Sequence, residues 1–341
     1  MSAVNLQIRF CCLFIFLWFI GVSPASAQTD PKPAQTHEIT FYAMPTLFPI
    51  SWESPADLYN TMFSCYLKTI LVPDNYLLGH LAVQISTPLL QKPLLTGMAS
   101  VNQKEKMDHL YIKKTGFAIL GASLKGGLET DAELKETLKS YAKRHKLAFI
   151  TYRINEQATK RILRFMERFS HSQNNNPASC NYYGGFFWPR FQNEGAGCTA
   201  FGMALLDLVN LLDADTDNWL QQVNIPMSII GGEFNNNKKI KISTIRKTKS
   251  WYNGPGEINI DYIAYNVYDP SKMYHWILEQ RNETITRYKS IEVTGVPGLY
   301  VDCSDVHVSD DEPLFTKRSD FNVFINKHFE KNQALSSKFK E

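Results

Sequence analysis

The sequence predicts an α+β fold, and three observations carry that prediction. Strand-like and helix-like segments alternate between about residues 75 and 215. Residues 79–86, GHLAVQIS, place Leu81, Val83 and Ile85 on one face and His80, Ala82 and Gln84 on the other. Successive side chains of a strand point to opposite faces, so this reads as a strand with an apolar face and a smaller, more polar face that carries a histidine. After Cys198, the residues Phe201, Leu205, Leu208 and Leu212 recur at helical spacing.

Taken in order, the chain opens with Arg9 and an apolar run over 10–22 that ends in Ala25-Ser26-Ala27. This reads as a secretory signal over 1–27, cleaved before Gln28, since the run is short for a membrane span. The expectation is an exported protein, periplasmic or secreted. Residues 28–37 are rich in Pro, Thr and Gln and form a leader. Residues 38–43 predict a strand, and Ser54-Pro55 starts a helix as cap and first helical residue. Residues 94–100 and 116–123 are further strands, and Gly126-Gly127 breaks the chain. Thr130 or Asp131 caps a helix with Leu134, Leu138, Tyr141 and His145 in one stripe. Residues 147–153 form a strand, and Asn155 caps a helix with Ala158, Ile162, Phe165, Met166 and Phe169 inward. Beyond Asp213 the signals weaken. Strands are expected over 225–230, 239–245 and 262–268, a helix over 270–280, and a strand pair over 291–301 broken at Pro297-Gly298. The organisation is therefore a core over 38–215, then a β-rich extension or further layers of the same domain over 216–330, and a polar, frayed tail over 331–341.

The composition of the 341 residues, 44% hydrophobic and 13% aromatic, is that of a chain with a sizeable core. A formal net charge of +3 gives no reason to expect nucleic acid as a partner. Cys11 and Cys12 lie in the signal, leaving Cys65, Cys180, Cys198 and Cys303. If Cys198 is catalytic, the other three allow one bridge and one buried thiol, with the pairing open.

The stretch over 174–213 organises the chemistry. A loop of Asn, Pro, Gly and aromatic residues runs into Gly195-Ala196-Gly197, and Cys198 opens the helix. A thiol in a first helical turn meets the positive end of the dipole and free backbone N–H groups, which lower its pKa. The thiolate is the nucleophile, and glycines such as Gly197 let a substrate approach the backbone. Such a nucleophile needs a base. Among the histidines, His80 alone follows a Gly and sits on a cleanly alternating strand, a rigid platform for an imidazole. Cys198 and His80 are thus the candidate nucleophile and base. In the loop, Tyr183 and Trp188 read either as a lip beside Cys198 or as aromatics packed beneath the domain.

The strand GHLAVQI followed much later by GAGCTAFGMALL resembles the circularly permuted branch of the NlpC-type papain-like thiol hydrolases. The resemblance covers about residues 75–215. It implies a papain-like core in which a nucleophile helix packs on a small antiparallel sheet and Cys meets His across the interface. It implies cofactor-free acyl transfer through a Cys198 thioester, with His80 returning the proton to the leaving group. The substrate would be an amide in a peptide or peptidoglycan stem, or the ester of an acyl-lipid. Gln192, six residues before Cys198, resembles the papain-type glutamine that donates to the oxyanion. A third, orienting group is expected on a strand beside His80, where Thr96 and Ser100 stand.

Other chemistries lack their residues. The sequence holds no His-x-x-x-His or Cys-x-x-Cys pair, no Gly-x-Ser-x-Gly elbow and no phosphate-cradling Gly loop. The run with Lys238, Lys239, Lys241, Arg246 and Lys247 reads either as contact with an anionic surface or as a solvated hairpin. Two rival functions follow: a non-catalytic envelope binding or structural protein of the same fold, and an exported effector at a lipid surface.

Overall fold

The structure is a computed structural model, and it describes residues 36–69, 79–172, 176–309 and 311–338. The expected signal segment and most of the leader lie outside the described residues. The fold is mixed α+β, built on one large sheet. Its elements in order are β1 (His37–Met44), α1 (Pro55–Thr69), β2 (His80–Ser86), β3 (Leu94–Ser100), α2 (Gln103–Met107), β4 (Leu124–Leu128), α3 (Asp131–Lys143), β5 (Ala148–Ile154), α4 (Glu156–Ser170) and β6 (Tyr182–Tyr183). There follow α5 (Cys198–Asp207), α6 (Ala214–Asp217), β7 (Leu220–Pro226), α7 (Ile242–Lys247), β8 (Tyr262–Tyr268), α8 (Pro270–Gln280), β9 (Lys289–Val293), β10 (Val296–Asp302) and α9 (Val323–Lys338).

The sheet has eight strands in the order β6-β4-β3-β2-β1-β5-β10-β9, and β7 with β8 forms a separate ribbon. The papain-type expectation of a small antiparallel sheet is corrected here. The sheet is larger, and β10 runs parallel to β5, with Leu299 opposite Ile150. Strands of the C-terminal third thus complete the same sheet rather than a second domain.

Alternation sets the two faces. Ile39, Phe41, Leu81, Val83, Ile85, Ile150 and Tyr152 join one core with Ile162 and Phe165 of α4, Phe201 and Leu205 of α5, and Ile277 of α8. Met44, Ala82, Leu95 and Phe149 face the other way, against Leu134 and Tyr141 of α3. A third cluster joins Leu58 of α1, Ile225 and Tyr265 of the ribbon, and Phe324 of α9. Caps fall where expected: the Asn155 side chain accepts from Ala158 N–H at 2.9 Å, and Thr130 with Glu133 closes a capping box on α3.

Six local expectations are corrected. Residues 117–120 form a 3₁₀ turn rather than a strand, since Gly116 takes φ of 61° and turns the chain. Gly126-Gly127 lies inside β4, where a side chain at Gly126 would meet Met98 Cε at 2.6 Å. The strand expected over 239–245 is not formed, and from Ile242 the chain is the helix α7. The turn between β9 and β10 falls at Thr294-Gly295, both at positive φ as a tight hairpin requires, so Pro297-Gly298 continues β10. The tail from Lys331 prolongs α9, which the buried Phe324, Ile325 and His328 dock on the body. His145, expected on the inward stripe of α3, lies beyond its end, exposed and at φ of 52°.

Candidate functional site

The site forms where the first turn of α5 meets the start of β2. Gly202 of α5 favours this: a Cβ there would stand 2.5 Å from Leu81 Cδ2, so a side chain would have to push Leu81 aside where helix and strand meet. Gly79 takes φ of 76°, and a Cβ on it would stand 2.8 Å from the Met44 carbonyl oxygen. That turn delivers His80 as the first residue of β2, 2% exposed. The loop before α5 is equally constrained, because a side chain at Gly195 would enter the Tyr182 carbonyl, whose oxygen accepts from Ala196 N–H at 3.1 Å.

His80 is held from two sides. Its Nε2 lies 2.6 Å from Glu129 Oε2, and its side chain also hydrogen-bonds Cys198. Each imidazole nitrogen has one in-plane site, so with Nε2 on the carboxylate the bond to sulfur falls to Nδ1. Glu129 stands between the end of β4 and the cap of α3. Its backbone N–H donates to the Gly97 carbonyl at 2.9 Å, and the Thr96 hydroxyl donates to its carbonyl oxygen at 3.2 Å. Thr96 therefore positions the orienting residue rather than the imidazole. The Ser100 hydroxyl is buried and finds no partner among the described residues.

The sulfur has a polar surround. The Leu81 backbone N–H donates to it. The Tyr183 hydroxyl stands close enough to Cys198 for the two groups to act on each other electrostatically. Burial alone would raise the thiol pKa, but the bond and charge of His80 and the Leu81 N–H outweigh it and lower it. Burial likewise would lower the His80 pKa, yet the Cys198 and Glu129 bonds and charges raise it to about 9. Both shifts run in the direction of a thiolate paired with an imidazolium. Cys198 is partly exposed as a residue. All four described cysteines are free thiols, and burial raises the pKa of Cys65, Cys180 and Cys303.

The other expected site residues divide. Gly197 is the N-cap of α5, and a Cβ there would make only an ordinary contact with the Gly184 carbonyl oxygen at 3.6 Å. Tyr183 lies within electrostatic reach of Cys198. Trp188 packs against the main core, and its N–H donates to the buried Glu194 at 3.1 Å, so it belongs to the packed part of the loop. Gln192 is exposed on a turn, with its backbone N–H donating to the Thr316 carbonyl at 2.9 Å. The turn carries its side chain outward. The loop residue that stands beside Cys198 is instead Tyr183. The sequence hides Glu129, because Gly126-Gly127 reads as a break and conceals β4 with the carboxylate that follows it.

A cleft of about 470 Å³ opens between the 45–52 loop and α8, with Trp52, Asp269 and Trp276 in its wall. Trp52 stacks on Tyr265 at 6.4 Å between ring centroids, and Tyr265 lies within electrostatic reach of Cys198. Among the described residues no three His, Cys, Asp or Glu side chains gather as metal ligands would, and no helix is long and apolar enough to cross a membrane. No family model, curated protein or solved structure matches this chain.

Proposed function

We propose that this protein is a thiol hydrolase that cleaves an amide or ester bond, with Cys198 as nucleophile, His80 as base and Glu129 as the group that orients it. The observation that carries the reading is the chain of contacts Glu129–His80–Cys198, buried at the start of α5. It supports the papain-like, permuted NlpC-type reading, in which the histidine strand precedes the nucleophile helix.

The thiolate attacks the carbonyl carbon of the bound acyl group, and the carbonyl π pair moves to oxygen. The Cys198 N–H and the Tyr183 O–H are the donors that meet that oxyanion. Collapse breaks the bond to the leaving amine or alcohol, which takes its proton from the His80 imidazolium. A water then gives a proton to His80 and attacks the thioester. The acid departs and the thiolate and imidazolium are restored. The expected substrates are a peptide, a peptidoglycan stem or an acyl-lipid, met after export.

The test is alkylation by iodoacetamide across pH, with each cysteine followed by mass spectrometry. Cys198, whose thiol is shifted down, is expected to react at lower pH than Cys65, Cys180 and Cys303, whose thiols burial shifts up. Hydrolysis should rise as the thiolate forms and fall as His80 loses its proton near pH 9. Equal reactivity of all four thiols, or a Cys198→Ala variant with undiminished hydrolysis, would overturn the reading.

A further inference from the structure

The segment after β3 presents a surface that neither the core nor the proposed reaction uses. Residues 108–112 continue α2 as one π-helical turn, closed by Lys113 N–H on the Asp108 carbonyl at 2.8 Å. Within that turn only His109 is buried. Leu110, Tyr111, Ile112, Lys113 and Lys114 are five consecutive exposed residues, with Ile112 at 69%, and Met107 is exposed one turn earlier. A surface helix normally turns its apolar residues inward, and contiguous exposed apolar residues mark an interaction site. The turn is anchored to the body through His109, whose carbonyl accepts from Thr115 N–H at 3.0 Å.

The basic run lies alongside. The Ile240 N–H donates to the Lys114 carbonyl at 2.8 Å, which sets the exposed Lys238, Lys239 and Lys241 next to Lys113 and Lys114. The acids nearby are Glu105, whose carboxylate accepts the Lys125 N–H at 2.8 Å, Asp108, and Glu233, which pairs with Lys331. Cations therefore dominate the rim. On the inner side of the same element, Lys106 stands within electrostatic reach of Cys198.

We infer that residues 107–114 and 238–241 form one docking surface for an anionic lipid bilayer. The chemistry matches that partner. Leu, Ile and Met enter the acyl boundary, Tyr111 sits at the headgroup level, and the lysines meet phosphate and carboxylate groups. The surface is independent of the reaction, so the two readings fail separately.

The test is co-sedimentation with vesicles of phosphatidylcholine alone or mixed with phosphatidylserine. It uses both the full chain and the chain beginning at Gln28, so that binding by the apolar run over 10–22 is subtracted. Binding is expected only to the anionic vesicles and should weaken with salt. Leu110→Ser with Ile112→Ser, and Lys238→Glu with Lys239→Glu, should each weaken it by about tenfold or more. Lys139→Glu with Lys143→Glu, on α3, should leave it unchanged, and so should Cys198→Ala. Equal binding to neutral vesicles, or no effect of either patch variant, would overturn the proposal. So would a patch that serves self-association, seen as a dimer that L110S/I112S dissolves without any vesicle binding. Vesicle binding with no hydrolysis would leave the surface standing and remove the enzyme reading alone.

Discussion

Gly97 shows how much of the site rests on one missing methyl group. A Cβ there would lie 2.5 Å from Glu129 Oε2 and 3.1 Å from His80 Nε2, inside the contact that holds the imidazole. The residue lies in β3 and is not among those at positive φ, so Gly97→Ala costs little in backbone strain. It should fold normally and displace the carboxylate. Its hydrolysis rate should fall on the order of 10²-fold, and Glu129→Gln should fall by a similar factor. Both should also move the alkaline limb of the pH profile below 9, because the imidazolium has lost a partner that raises its pKa. A Gly97→Ala protein with an unchanged pH profile would refute the orienting role. Cys198 and His80 were legible as single residues, from a glycine approach and a strand pattern. Glu129 was not, because its role depends on β4 pairing with β3, and two glycines concealed that strand.

Among the elements, α9 has the most distinctive attachment. His328 is 3% exposed, its Nδ1 lies 3.0 Å from Ser123 Oγ, and its ring packs edge-on against Tyr182 and Phe187. Burial holds its pKa down to about 4, with the Asn193 carbonyl acting the other way and Lys331 adding to the lowering. The unfolded chain binds this proton near pH 6.5 and the folded chain near 4. The contribution is therefore complete above pH 6.5 and lost as pH falls toward 4, worth about 3 kcal/mol across that window. Tm measured from pH 7 to 4 should decline, and His328→Gln should flatten part of that slope. An unchanged slope would place the acid sensitivity elsewhere. The loop that leads to Cys198 is fixed by a second buried group, Glu194, which is 0% exposed and paired with Arg318 at 2.7 Å. Arg318→Ala would leave that carboxylate without its cation, at about 3–5 kcal/mol, and urea unfolding measures the loss. The helices capped by Thr130 and Asn155 were readable because caps are local. The 3₁₀ turn at 117–120 and the helix α7 were not, because their apolar residues are placed by α1, the ribbon and α9 rather than by their own periodicity.

At the scale of the whole molecule, the C-terminal third completes the structure that the first two thirds begin. β10 pairs with β5, and Leu299, Val301, Phe324 and Ile325 are buried. At about 1.5–3 kcal/mol for each buried side chain, their loss amounts to about 6–12 kcal/mol, comparable with the whole net stability of a domain. A chain ending at Thr286 should therefore show no cooperative thermal transition, and a sharp two-state melt from it would contradict this account. What the sequence determined by itself was whatever short-range rules decide: which segments alternate, which residues cap helices, and that a thiol opens a helix after a run of glycines. The tertiary structure alone decided which distant groups meet. It set β10 in the sheet, brought Glu129 and Tyr183 to the Cys198–His80 pair, and turned Gln192 outward. Strand neighbours are chosen by packing across many residues of intervening chain, and no local pattern encodes that choice.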